Sequence, residues 1–223
     1  MSNYTIIDAE QRSPEWFAAR LGRVTGSRAN DMLATTSKKE YTTARRNLRV
    51  QLVLERITGE SAEDPFTNGD MKRGQELEPD ALLAYEAQTG ELVATTGFLS
   101  HNDLMAGCSL DGHVGSMTGV VDFKCPRAAN HLEYLRSDKM PLDYQRQLTH
   151  NLWMTGAEWA EMVSFCPQFP EPLRLCIKRL MANDVDLAAY EKELRTFLAE
   201  CEAEQLALQT IADLRGQMAA SVA

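Results

Sequence analysis

Cys108-Ser109-Leu110-Asp111-Gly112, followed shortly by Gly119-Val120-Val121-Asp122-Phe123-Lys124-Cys125-Pro126, is the stretch whose reading decides the fold. Val120 to Cys125 has the β-branched and aromatic content of a strand. Strand side chains alternate, so Asp122 and Lys124 share one face, while Val121 and Phe123 point from the other into a core. Met105 to Leu110 reads as the preceding strand, and Gly112 to Thr118 can turn the chain so that Asp111 comes alongside Asp122. Two converging carboxylates with nearby backbone carbonyl oxygens suit a hard divalent cation such as Mg²⁺. A lysine beside them can orient a water for attack on a phosphodiester. The same spacing also describes a surface salt bridge next to an Asp-Gly turn, and Asp-x-Lys alone favours that plainer reading.

Working outward, Ser13-Pro14 opens a short helix that Gly22 stops. Thr25-Gly26-Ser27 caps a second, from Arg28 to Leu33, and residues 43–58 form a longer one ended by Gly59. Asp64-Pro65 breaks the chain. A helix from about Met71 to Gln88 carries Pro79, which predicts a kink or a restart. Glu78 falls on the face of that helix that also bears Leu82 and Tyr85; it is either paired or metal-bound there, or part of a solvated acidic face. Glu91 to Thr95 and Gly97 to Ser100 are strand-like. Residues 128–138 and 143–155 read as helices, Trp159 to Cys166 and Leu173 to Lys178 as strands, and residues 185–218 as a long final helix. The order predicts an α/β layer fold, a mixed central sheet flanked by helices. With no Pro/Gly/Ser-rich linker and no repeat, residues 1–223 are expected to form one domain.

The chain is 44% hydrophobic and 25% charged with a net charge of −9, an ordinary globular profile that gives no general attraction for polyanions. Locally, Lys38 to Arg49 is basic, and the stretch holding Glu191, Glu193, Glu200, Glu202 and Glu204 is acidic. This asymmetry predicts a nucleic-acid surface at one end and a solvated or partner-facing helix at the other. Cys108, Cys125, Cys166, Cys176 and Cys201 are odd in number, with no CxxC pair, so neither a disulfide framework nor a zinc or iron–sulfur site is expected. His113 reads as a turn residue, and Trp16, Trp153 and Trp159 as packing anchors. No signal peptide and no membrane span is recognisable, which predicts a soluble, cytoplasmic protein.

Five segments in order resemble the lambda-phage-type alkaline exonucleases, the YqaJ-like viral recombinase family of restriction-endonuclease-like nucleases. They are Trp16…Arg20-Leu-Gly22…Thr25-Gly-Ser27, Arg73-Gly74…Glu78, Ser109-Leu-Asp111-Gly112, Asp122-Phe-Lys124-Cys125-Pro126, and Tyr144-Gln-Arg-Gln147-Leu…Trp153. The resemblance spans about residues 14–155 and reverses the preference for a surface salt bridge. It implies that Asp111, Asp122 and the Phe123 carbonyl are metal ligands, that Lys124 is the catalytic lysine, and that Glu78 helps hold a second metal or its water shell. It also implies that Arg20, Ser27, Ser109 and Gln147, with Tyr144 on the same helical face as Gln147, grip the terminal 5′-phosphate. The expected activity is Mg²⁺-dependent 5′-to-3′ digestion of linear duplex DNA, with Mn²⁺ as an alternative and two ions per site. Products would be 5′-mononucleotides and a 3′ overhang. The implied setting is a ring-shaped homotrimer of phage or prophage origin in a bacterial cytoplasm, working with a single-strand-annealing protein. Leu110 stands where the family often has Pro, and Asp122 where it commonly has Glu, one methylene longer. Two other readings are an endonuclease of the same superfamily and a non-enzymatic DNA-end-binding recombination factor.

Overall fold

The computed structural model describes residues 2–38, 40–62 and 69–220, apart from the side chains of 218–220. The expected break at Asp64-Pro65 lies outside the described residues. Strand β1 (Tyr4–Ile7) precedes helix α1 (Pro14–Arg20), which Ser13 caps by accepting from the Trp16 amide. Next come β2 (Val24–Thr25), a 3₁₀ turn at Gly26–Arg28 and α2 (Ala29–Leu33). The expected side-chain cap on this second helix is absent: the Thr25 and Ser27 hydroxyls lie 3.4 Å from each other instead. Helix α3 (Thr43–Thr58) is capped by Thr42 and ended by Gly59 at φ 71°. Helix α4 (Gly69–Thr89) runs through Pro79 as one element, neither ended nor restarted there.

The remaining order is β3 (Val93–Ala94), β4 (Phe98–His101), β5 (Ala106–Cys108), β6 (Gly112–Val114), β7 (Gly119–Lys124), α5 (Ala128–Arg136), α6 (Leu142–Thr155), β8 (Trp159–Phe165), β9 (Leu175–Met181) and α7 (Leu187–Ala220). Instead of one central sheet there are two, ordered β1-β4-β5-β2 and β3-β6-β7-β8-β9. β5 belongs to the first and β6 to the second, so Ser109-Leu110-Asp111 is the crossing between them. β1, β2 and β6 are not foreseen in the sequence because two to four residues are too few to show alternation; pairing with neighbours, not propensity, makes them strands.

The five-stranded sheet lies between two helices. Val120, Ala160 and Met162 pack with Leu148 and Leu152 of α6. From the other face, Val121, Phe123 and Val163 pack with Ala81 and Tyr85 of α4. A third cluster joins α2, α3 and α7 through Met32, Leu48, Leu52, Leu194 and Phe197. Here the predicted charge asymmetry is corrected. Arg45 is buried and donates to Glu200 at 2.8 Å, and Arg49 lies 2.6 Å from Glu204. The basic helix α3 is thus laid against the acidic α7, and much of its charge is spent inside the fold.

Candidate active site

The pairing of β6 with β7 sets the site. Gly112 is registered with Val121, so one step further brings Asp111 opposite Asp122. Because β6 begins at Gly112, the β7 backbone beyond lacks a strand partner on that side, and Asp111 Oδ2 accepts the Phe123 amide at 2.8 Å. Glycine is required at 112: a Cβ there would stand 2.2 Å from the Val93 side chain. Asp122 lies on the α6 face of β7, where its side chain is only 6% exposed, not at a sheet surface. Its Oδ1 accepts from Gln147 Nε2 at 2.5 Å. Its Oδ2 is buried and takes no aligned hydrogen bond, although the Lys124 ammonium lies 2.6 Å away. Lys124 also reaches Gln147 Oε1 at 3.4 Å and lies 5.1 Å from the centre of the Tyr144 ring.

A cleft of about 510 Å³ opens above this cluster. Glu78, Asp111, Phe123, Lys124 and Tyr144 all line it. Glu78 stands in the α4 wall, and among the described residues no three His, Cys, Asp or Glu side chains are grouped closely enough to cage a metal. Asp111 and Asp122, with backbone oxygen and water, are chemically suited to a divalent ion, and Glu78 lines the same cleft from α4. Two buried acids whose charges repel, one with an oxygen lacking a hydrogen bond, fit such an ion.

The electrostatics agree. Burial first, then the charge of Asp122, pushes the Asp111 carboxyl up to about 8. Burial also raises Glu78, with Arg12 opposing and Asp122 adding to the rise. Burial works against the charge on Lys124, but Asp122 and Asp111 outweigh it and raise its pKa. Lys124 is thus a stable cation, suited to holding oxyanions and water and not to removing a proton at neutral pH.

The residues expected to hold a 5′-phosphate are spread: Tyr144 lines the cleft, whereas Arg20 lines a separate small pocket with Thr25 and Arg28. Ser109 Oγ accepts from the Trp16 indole at 2.9 Å and from Arg20 at 3.3 Å, and the Arg20 guanidinium stacks 4.2 Å from the Trp16 ring. Ser27 is exposed on the turn that packs against α6. That packing needs glycine next door, since a Cβ on Gly26 would stand 2.6 Å from Asn151 Oδ1 and 3.5 Å from Gln147 Cγ. Gln147 bonds Asp122 and Lys124, so it links that pair to the turn bearing Ser27. Trp16 acts here as a positioning group, beyond the packing anchor expected. His113, expected in a turn, lies in strand β6 opposite Val120, and its Nδ1 donates to the Gly115 carbonyl.

Sequence reasoning missed Arg12, which lines the cleft, and the role of Arg73, which donates to the Cys125 and Pro126 carbonyls and ties α4 to the end of β7. The Arg73-Gly74 motif was visible, but a side-chain-to-carbonyl bond leaves no spacing signal. The five cysteines are unpaired. Among the described residues no helix is long and apolar enough to cross a membrane.

Comparison with known proteins follows the same lines. Residues 15–158 match the YqaJ-like viral recombinase domain. The crystal structure of an alkaline exonuclease from Laribacter hongkongensis (LHK-Exo) superposes with a TM-score of 0.81 at 36% identity, covering 90% of this chain and 98% of that one. The same exonuclease in complex with dAMP gives 0.81 at 35% identity, with the same coverage. A phage-related exonuclease from Haemophilus somnus shares the fold, with a TM-score of 0.68 at 14% identity over 84% of this chain and 96% of that one. A comparison with curated proteins returned no match. The architecture is the restriction-endonuclease-like one, and the chain is a deoxyribonuclease: it belongs to the YqaJ-like viral recombinase family.

Proposed function

We propose that this chain is a Mg²⁺-dependent exonuclease that digests linear duplex DNA from its 5′ ends, releasing 5′-mononucleotides and leaving a 3′ overhang. One observation carries this reading: Asp111 and Lys124 line an open cleft with Asp122 buried beside them, and the Asp111 carboxyl is pushed up by burial and by its neighbour's charge. The solved alkaline exonuclease from Laribacter hongkongensis, in one case holding dAMP, supports the substrate class. Asp111, Asp122 and the Phe123 carbonyl would hold the ion, with Mn²⁺ as a substitute, and Glu78 would reach a second ion through water. When bound, Mg²⁺ supplies the Lewis acidity that phosphodiester hydrolysis needs.

The chain's own residues do the rest. Lys124, kept protonated by the two acids, draws a phosphate oxygen and orients the attacking water. Gln147 fixes the Asp122 carboxylate through Oδ1, which leaves Oδ2 toward Lys124. Arg20 offers a planar fork of donors, with Ser109 and Ser27 adding hydroxyls, for a terminal 5′-phosphate. Tyr144 walls the cleft beside Lys124. In the same proposal the protein works as a ring-shaped homotrimer in a bacterial cytoplasm, threading duplex DNA and passing the 3′ strand to a single-strand-annealing protein.

The test compares linear duplexes bearing 5′-phosphate or 5′-hydroxyl ends with covalently closed circles, in Mg²⁺ and in Ca²⁺. Rapid mononucleotide release from the phosphorylated ends in Mg²⁺ alone is expected. Digestion from 3′ ends would overturn the polarity, and cutting of closed circles would turn the assignment to an endonuclease. Light scattering on the purified protein checks the trimer.

A further inference from the structure

Arg12 stands in the same cleft, and the chain holds it there at a conformational cost. Glu10 to Ser13 form a β-turn closed by the Ser13 amide donating to the Glu10 carbonyl at 3.0 Å. Arg12 occupies the third position with φ 72°, the left-handed region where glycine or asparagine is normally found. The turn is pinned on both sides. Gln11 Nε2 donates to the Leu110 carbonyl at 3.1 Å, next to Asp111, and Ser13 caps α1. A long side chain kept in a strained conformation by its neighbours marks a place where that side chain has work. Arg12 lines the cleft together with Glu78, Asp111, Phe123 and Lys124. Among the described residues it makes no hydrogen bond and no ion pair. It is also the strongest of the charges that hold the Glu78 carboxyl down against burial.

Resting on the exonuclease reading above, we infer that Arg12 is a further catalytic residue, a second cation beside Lys124 whose guanidinium grips the non-bridging oxygens of the phosphodiester being cut. An arginine fork binds two phosphate oxygens at once, which a lysine does not. The strained turn fixes where the fork is presented before substrate arrives, so little reorganisation is left for the reaction itself.

The experiment uses the full chain with Arg12→Gly and Arg12→Lys. It measures turnover on 5′-phosphorylated linear duplex in Mg²⁺, end binding in Ca²⁺, and thermal melting. Arg12→Gly should slow turnover roughly 10²-fold, the scale for loss of one preorganised charge-stabilising donor. Its Tm should be unchanged or higher, because glycine adopts φ 72° freely. End binding in Ca²⁺ should weaken less than about tenfold, and Arg12→Lys should recover part of the turnover. Wild-type turnover in Arg12→Gly would overturn the inference while leaving the exonuclease reading intact. Loss of activity in step with a fall in Tm would overturn it in favour of a structural role. A wild-type protein that releases nothing from any linear duplex would sink the exonuclease reading itself and the role of Arg12 with it.

Discussion

The parallel pair β7 and β8 carries one buried carboxylate on each face of the sheet, and the two are treated in opposite ways. Glu161, with its side chain 5% exposed, faces α4. One oxygen accepts from the Tyr85 hydroxyl at 2.6 Å and the other from Arg179 Nε at 2.8 Å, with Arg179 stacked 4.1 Å from the Trp159 ring. Burial and Glu161 together push the Tyr85 phenol far up, so it stays a donor. Every lone pair that matters is answered. Asp122, just as buried, faces α6 with a second acid beside it and one oxygen without an aligned hydrogen bond. One carboxylate is fixed by two aligned hydrogen bonds deep in the fold; the other is paired with a lysine that lines an open cleft and has a second acid beside it. Glu161 braces α4 against the sheet; Asp122 is held between Gln147 and Lys124 beside a second acid.

Neutral isosteres separate the two roles, and this is the largest expected effect. Asp122→Asn should cut nuclease turnover on the order of 10³-fold, the upper range for loss of a charge-stabilising group in an active site. Its melting temperature should fall less than that of Glu161→Gln, because removing one of two repelling acids offsets the partner Lys124 loses. Glu161→Gln breaks a buried charge-assisted network and should lower stability by about 2 kcal/mol, discounted because Arg179 is half-exposed, while turnover of the folded fraction stays near wild type. Turnover in Mg²⁺ and urea unfolding, measured on both variants, decide it. If Glu161→Gln loses turnover and keeps its stability, the division between brace and active acid is wrong.

His150 extends the satisfied side of the comparison, with a smaller effect. It is buried in α6, with Nδ1 2.6 Å from the Tyr190 hydroxyl and Nε2 2.9 Å from the Gly107 carbonyl. The neutral ring answers both, donating from Nε2 and accepting at Nδ1. Burial lowers its pKa from 6.5 to about 4. A base whose folded pKa is depressed contributes stability that is present above its unfolded pKa and is lost as pH falls from 6.5 toward 4. The full loss is about 3 kcal/mol. Urea unfolding at pH 7 and pH 4.5 should show most of that loss in the wild type and a flatter response in His150→Gln. Equal slopes would mean that His150 is protonated inside the fold without penalty.

Much of this was legible in the sequence, and the rest was not for identifiable reasons. α3 ends where Thr42 and Gly59 predict, because caps are local chemistry. The shared face of Asp122 and Lys124 follows from strand alternation alone. The division into two sheets was hidden, since β5 and β6 are three residues each and only their partners distinguish them. That division is also what frees Ser109 and Asp111, which sit on the crossing with no strand partners to satisfy. Asp111 beside Asp122 was readable as a turn bringing two acids together, and Glu78 was placed on a helix face that the structure sets in the wall of the same cleft. A helical face gives direction without distance. Arg12 carried no signal because its left-handed backbone is imposed by Gln11, Ser13 and Leu110 and not by its own preference.

The last and smallest effect is a pH profile, and it tests whether the unsatisfied acids are kept apart by protons until a cation arrives. Burial and Asp122 raise the Asp111 carboxyl from 3.8 to about 8, so below that pH a proton occupies the place an ion needs. At subsaturating Mg²⁺, turnover should rise by up to about tenfold per pH unit toward 8 and flatten above it, and higher Mg²⁺ should move the rise to lower pH. Stability runs the other way. An acid whose folded pKa is raised gives stability that is present below 3.8 and is lost as pH climbs through 8, because the folded state must then carry both charges. Mg²⁺ relieves that repulsion, so the increase in Tm it produces should be larger at pH 8.5 than at pH 6.5. Asp111→Asn should abolish the difference, whereas Glu161→Gln should leave it untouched. A Mg²⁺-induced Tm shift that is independent of pH would show that the two acids do not share their charge, and the contrast between the two faces of the sheet would lose its physical basis.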